Sequence, residues 1–108
     1  MQTKAGQQSG TTAVIVVINL SHKSLDPSNT AHVAVVGDTR FVIGYANGTY
    51  KATTDHKPFP EKERIEKAGG VVRQVDGVWR INNSLSVSRT LGDCYLKNQG
   101  VTADPDYY

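Results

Sequence analysis

Residues 11–20 read TTAVIVVINL, with Val or Ile at five consecutive positions and no charge anywhere. A β-branched run without polar alternation predicts a strand covered on both faces, because neither set of alternating side chains is suited to water. The stretch SHKSLDPSNT (21–30) that follows has Ser, Asp-Pro and Asn without periodicity, which predicts a loop. AHVAVV (31–36) then predicts a second strand, ended by Gly37-Asp38. RFVIGYANGTYKATT (40–54) predicts a hairpin with Asn47-Gly48 in a type I′ turn, and strands joined by such short links pair antiparallel.

One segment has helical character. In PEKERIEKAGG (60–70), Pro60 suits the first helical position and Gly69-Gly70 a left-handed stop, with Glu63 and Lys67 four apart in the favourable order. Only Ile65 and Ala68 offer an apolar stripe, so the expectation is a helix docked shallowly, outside the core. VVRQVDGVWRIN (71–82) predicts a second hairpin turning at Asp76-Gly77, with Trp79 packing near the turn. The closing VTADPDYY (101–108) begins extended. From these patterns alone the chain is a small antiparallel β domain with one helix, an α+β arrangement.

The 108 residues amount to one small domain or part of a larger one, and 38% hydrophobic content permits a core of modest size. A net charge of +2 without basic patches argues against nucleic acid as a partner. No run approaches the ~18 apolar residues of a membrane helix, and MQTKAGQQSG has no secretory signal pattern. The single cysteine, Cys94, excludes an internal disulfide and suits a reducing compartment; the expected location is cytoplasmic or nuclear.

Two aspartates stand in turn-like settings, Asp38 in VGDTR and Asp93 in LGD. Each has a plain structural alternative: Asp38 as a turn residue paired with Arg40, Asp93 as a helix stop. His22, His32 and His56 share no metal-ligand spacing and are expected to serve loops or turns. Arg64, Arg73, Arg80 and Arg89 read as solvated or paired side chains.

The order of several short motifs is more specific than any one of them. SGTTAV (9–14), VGDTR (36–40), DHKP (55–58), EKERIEKAGG (61–70), NNSLSVSRTLGD (82–93) and the Pro105 region together resemble the PP2C family of metal-dependent Ser/Thr protein phosphatases. The resemblance implies part of a PP2C-like sandwich of antiparallel sheets flanked by helices, with residues 1–108 as a partial phosphatase domain and about 58–83 as the flap-like segment. It places Asp93 on the metal-binding aspartate of the Ser-Arg-x-x-Gly-Asp motif. It places Asp38 on the aspartate of the Gly-Asp-Ser-Arg motif, tied to an additional and weaker metal position. Two Mg²⁺ or Mn²⁺ ions are the implied cofactors, and hard carboxylate ligation suits both. Asn83 departs from the family's glycine and Thr39 from its serine.

The family's early Asp-Gly-His-Gly-Gly element does not occur in this sequence, and neither does its late Asp-Gly-x-x-Asp motif. The chain by itself is therefore expected to be catalytically inert and to bind metal weakly or not at all. Two functions follow as expectations: the central part of an active phosphatase domain, acting on a phosphoprotein, or a non-catalytic PP2C-like pseudophosphatase that binds and regulates a protein kinase. A half-sandwich exposing apolar strand surface around 14–18 and 33–36 is expected to form a homodimer, with 21–30 or 71–83 as the hinge of a domain swap.

Overall fold

A computed structural model of the chain describes residues 8–21, 23 and 29–108. Nine strands occur among them: β1 Gly10–Thr11, β2 Ala13–Asn19, β3 Thr30–Val36, β4 Val42–Gly44, β5 Tyr50–Ala52, β6 Val72–Val75, β7 Val78–Ile81, β8 Leu91–Gly92 and β9 Asp106–Tyr107. Helix α1, Lys62–Lys67, lies between β5 and β6, and a 3-10 helix, Cys94–Gln99, follows β8. All strand pairing is antiparallel, in sheets ordered β1-β8, β2-β3-β9, β4-β5 and β6-β7.

The β-branched runs form the longest ladder, Ala13 opposite Val36 through Asn19 opposite Thr30. The expectation of a strand covered on both faces is not met. β2 is the edge strand of its sheet, and Ile15 and Val17 remain 61% and 59% exposed. β3 behaves differently from the exposure expected for 33–36, since Val33, Val35 and Val36 are all buried. β3 has neighbours on both sides, β2 and β9, whereas β2 has only β3 among the described residues. The expected loop at 21–30 falls largely outside the described residues, as does His22.

The two hairpins differ in turn chemistry. At β6–β7 both central residues, Asp76 and Gly77, have positive φ (51° and 82°), as a type I′ turn requires. At β4–β5 only Gly48 does (φ 85°), so the expected type I′ turn is replaced by a longer loop closed by Tyr45 N–H to the Thr49 carbonyl. Asn47 is occupied otherwise: its Oδ1 accepts from the Thr49 amide at 3.0 Å and the Thr49 hydroxyl at 2.6 Å. That side-chain bonding selects the longer loop over the two-residue one.

Helix α1 corrects a further expectation. Pro60 precedes the helix, Glu61 occupies the N-cap position, and Lys62 is the first helical residue. At the other end Gly69 (φ 100°) provides the left-handed stop, with Gly70 N–H reaching back to the Ile65 carbonyl and Gly69 N–H to that of Glu66. Far from docking shallowly, α1 places Ile65 at 0% exposure in a cluster with Val72, Ile81, Leu96 and Val101. One long apolar residue suffices because the glycines at 70 and 100 let neighbouring backbone press directly against it. Trp79 packs on this cluster and against Phe59, ring centroids 4.5 Å apart, as its place near the turn suggested.

The core thus lies between α1, β6–β7 and the 3-10 helix, while the β2–β3 ladder extends from it. The radius of gyration is 16.9 Å, against about 13 Å for a compact domain of this length. No helix among the described residues is long and apolar enough to cross a membrane.

Candidate metal centre

Asp93 follows β8 directly. Its backbone is left-handed (φ 48°), a conformation Asp tolerates better than most residues, and its N–H donates to the Ser9 carbonyl at 2.8 Å. The residue is 6% exposed. Gly10, paired with Gly92 across β1–β8, makes room for the side chain: a Cβ there would stand 2.1 Å from Asp93 Oδ2. One helical turn on, the Lys97 ammonium donates to the Thr90 carbonyl at 2.5 Å. Burial pushes Lys97 below the usual lysine range, against the opposing pull of Asp93 and Cys94.

Asp38 sits in the turn after β3 and is less buried. The expected pair with Arg40 does not form. Asp38 Oδ2 instead meets Lys57 Nζ at 2.5 Å, and Arg40 grips both oxygens of Asp55, at 3.0 and 2.7 Å. The reason is the neighbouring chain. Residues 53–57 run alongside 37–41, tied by Thr53 N–H to the Phe41 carbonyl and His56 N–H to the Gly37 carbonyl. This apposition supplies a cation opposite Asp38 and an anion opposite Arg40. Through its bonds to Arg40, Asp55 is held below the ordinary carboxylate range.

Both aspartates flank one short stretch of chain. Asp93 lies over Gly10; Asp38 precedes Thr39, whose hydroxyl bonds that of Thr12. The donor chemistry suits a hard divalent cation: a carboxylate at Asp93 that only a glycine at position 10 leaves room for, and a carboxylate at Asp38 that already meets an ammonium. Among the described residues, however, no three His, Cys, Asp or Glu side chains gather into a group that could hold a metal ion. The described residues thus hold Asp93 and Asp38 as candidate ligands without gathering a third beside them.

A second polar group was not anticipated. Glu61, Arg89, Asp106 and His56 form a connected network: Glu61–Arg89 at 2.5 Å, Arg89–Asp106 at 3.1 Å, His56–Asp106 at 2.9 Å. Burial alone would raise Glu61, but Arg89, the Ser88 hydroxyl and Arg64 outweigh it and hold the carboxyl below its ordinary value. Asp106 is lowered chiefly by its bond to His56, with Arg89 contributing. His56 serves a turn, as expected, but does so from a buried position: it lies in the irregular segment before α1, and its Nδ1 accepts from the Gly37 amide. Its neighbours come from positions up to fifty residues away, a separation no local pattern reveals. The motifs DHKP, EKERIEKAGG and SRTLGD contain His56, Glu61 and Arg89, but nothing local in them shows that these side chains meet.

Antiparallel sheets with few helices, with Asp93 and Asp38 just past strand ends, make this an α+β domain. The family model described as protein phosphatase 2C matches residues 1–108. The chain belongs to the protein phosphatase 2C family. It is 39% identical over 112 residues to a probable protein phosphatase 2C 60 of Arabidopsis thaliana, covering 94% of this chain and 28% of the relative. It is likewise 39% identical over 108 residues to protein phosphatase 1L of Bos taurus, covering 96% of this chain and 28% of the relative. Its fold is similar to that of a serine-threonine phosphatase 2C from Toxoplasma gondii, with a TM-score of 0.64 and 29% identity over 72% of this chain and 32% of the other. The chain thus spans under a third of these proteins' length.

Proposed function

We propose that this chain is the central part of a PP2C-type metal-dependent protein Ser/Thr phosphatase domain, contributing Asp93 and Asp38 as ligands for Mg²⁺ or Mn²⁺. The observation that carries the reading is Asp93 itself: a buried carboxylate directly after a strand, packed over Gly10, where only a glycine leaves it room. When bound, such ions activate water and neutralise charge on a phosphoryl group. This chain's part is to hold two carboxylates in place, Asp93 through the β1–β8 pair and its bond to Ser9, Asp38 through the turn beside Lys57. The flap-like segment, about 58–83, contains α1 and the β6–β7 hairpin, and its substrates are phosphoproteins. Two carboxylates cannot replace much of the hydration shell of Mg²⁺, so the 108-residue chain alone is inert. The uncharged, exposed edge of β2 supports self-association into a homodimer.

Isotope-labelled chain titrated with millimolar Mn²⁺ tests the ligand assignment. Amides around Asp93 and Asp38 should broaden first, and Asp93→Ala should abolish the effect at its own position. The same preparation should not hydrolyse a phosphoserine peptide. Mn²⁺-dependent turnover that disappears in Asp93→Ala would refute the inactivity, and broadening that bypasses both aspartates would refute the assignment.

A further inference from the structure

The turn that carries Asp38 is held by a closed set of contacts. His56 Nδ1 lies 2.9 Å from the Gly37 amide, which can only donate, so Nδ1 must be the bare, accepting nitrogen. The proton therefore sits on Nε2, which donates to Asp106 Oδ2 at 2.9 Å. The other Asp106 oxygen, Oδ1, accepts from Arg89 Nη1 at 3.1 Å. Arg89 is fixed from its far side by Glu61, which accepts from Nε and Nη2, while Nη1 also donates to the Asp104 carbonyl. Finally the Arg89 carbonyl packs against Gly37: a Cβ on Gly37 would stand 2.9 Å from that oxygen, and closer still to Thr12. Backbone bonds reinforce the circuit, His56 N–H to the Gly37 carbonyl and Ser88 N–H to the His56 carbonyl.

We propose that His56, Asp106 and Arg89 form a positioning ring that fixes the turn bearing Asp38 relative to the segment leading to Asp93. The proposal rests on reading those two aspartates as metal ligands. Gly37 is one residue from Asp38, and Arg89 lies just before β8, which Asp93 directly follows. Rotation of either segment breaks a contact that the other segment makes. Asp106 must be a carboxylate, because it accepts from two donors at once. An amide there would present its NH₂ either to Arg89, donor against donor, or to Nε2, moving the imidazole proton to Nδ1 and opposing the Gly37 amide.

The ring is read without metal, in the whole 108-residue chain. Ring nitrogen shifts of His56 should show a bare Nδ1 and a protonated Nε2. Asp106→Asn should speed exchange of the Gly37 amide roughly tenfold, the cost of one buried hydrogen bond, while the Ile81 and Gly70 amides keep their rates. His56→Asn places an oxygen near the position of Nδ1 and should retain Gly37 protection, with no further loss when Asp106→Asn is added. A proton found on Nδ1, unchanged Gly37 exchange in Asp106→Asn, or acceleration shared equally by Ile81 and Gly70 would overturn the ring. Failure of the ligand reading shows separately, as absent Mn²⁺ broadening in the unaltered chain.

Discussion

Truncating Ile65 to alanine should remove a large share of this protein's stability. Ile65 has no exposed surface and belongs to the main cluster. Core Ile-to-Ala changes cost about 2–5 kcal/mol, and the value within that range depends on how far the surroundings collapse into the space. Here they are constrained. A Cβ on Gly70 would stand 2.7 Å from Ile65 Cγ2, and one on Gly100 2.8 Å from its Cα, so backbone already presses on the side chain. Gly70 is tied to the Ile65 carbonyl at 3.0 Å, and the Gly100 carbonyl to Arg64 at 2.6 Å. With both strips pinned, the cavity persists, and the expected loss is about 3–5 kcal/mol. Domains of this size have only about 5–15 kcal/mol in total. Urea unfolding followed by Trp79 fluorescence measures it, since Trp79 is the only tryptophan and packs on this cluster. Ile65→Val keeps the chain folded and should cost about 0.5–1.5 kcal/mol. A loss below about 1 kcal/mol for Ile65→Ala at unchanged m-value would refute the reasoning and make α1 a surface helix.

Acid should weaken the fold in a defined window. Glu61 and Asp106 are held below their ordinary values of 4.5 and 3.8, so their contribution is complete above that range and is lost as pH falls through the lowered native values. Stability measured by urea midpoint should fall as pH drops below about 4; a midpoint unchanged through that window would refute the assignment to these two carboxylates. Light scattering at micromolar concentration should give twice the 11.7 kDa chain mass, and adding a lysine at Val17, on the exposed surface of β2, should shift it towards monomer; a well-folded monomer in the unaltered chain would exclude the homodimer.

Sequence made the strands and the Asp76-Gly77 turn legible because their signals are local: β-branched runs and a dipeptide suited to positive φ. It misjudged α1, because a lone isoleucine gives a weak stripe while the depth of its burial depends on glycines 70 and 100, the latter from a distant segment. Asp38 was given the wrong partner for the same kind of reason. Arg40 is near in sequence, yet apposition of 53–57 against 37–41 puts Lys57 at Asp38. Asp93 and Asp38 came from motif order, whereas the ring through His56 and Asp106 exists only once β9 lies beside β3.

That late pairing has a consequence during synthesis. Ala34 and Val35 find their partners in Tyr107 and Asp106, about seventy residues downstream. At ribosomal rates of roughly 5–20 residues per second, the second edge of β3 stays unpaired for about 4–15 s after its own translation. Through that interval the nascent chain presents Val33, Val35 and Val36, later buried, beside the uncharged β2. Such a segment is a natural substrate for chaperones that hold extended apolar chain. Slowed elongation before β9 would lengthen its exposure and lower soluble yield without altering one residue of the product.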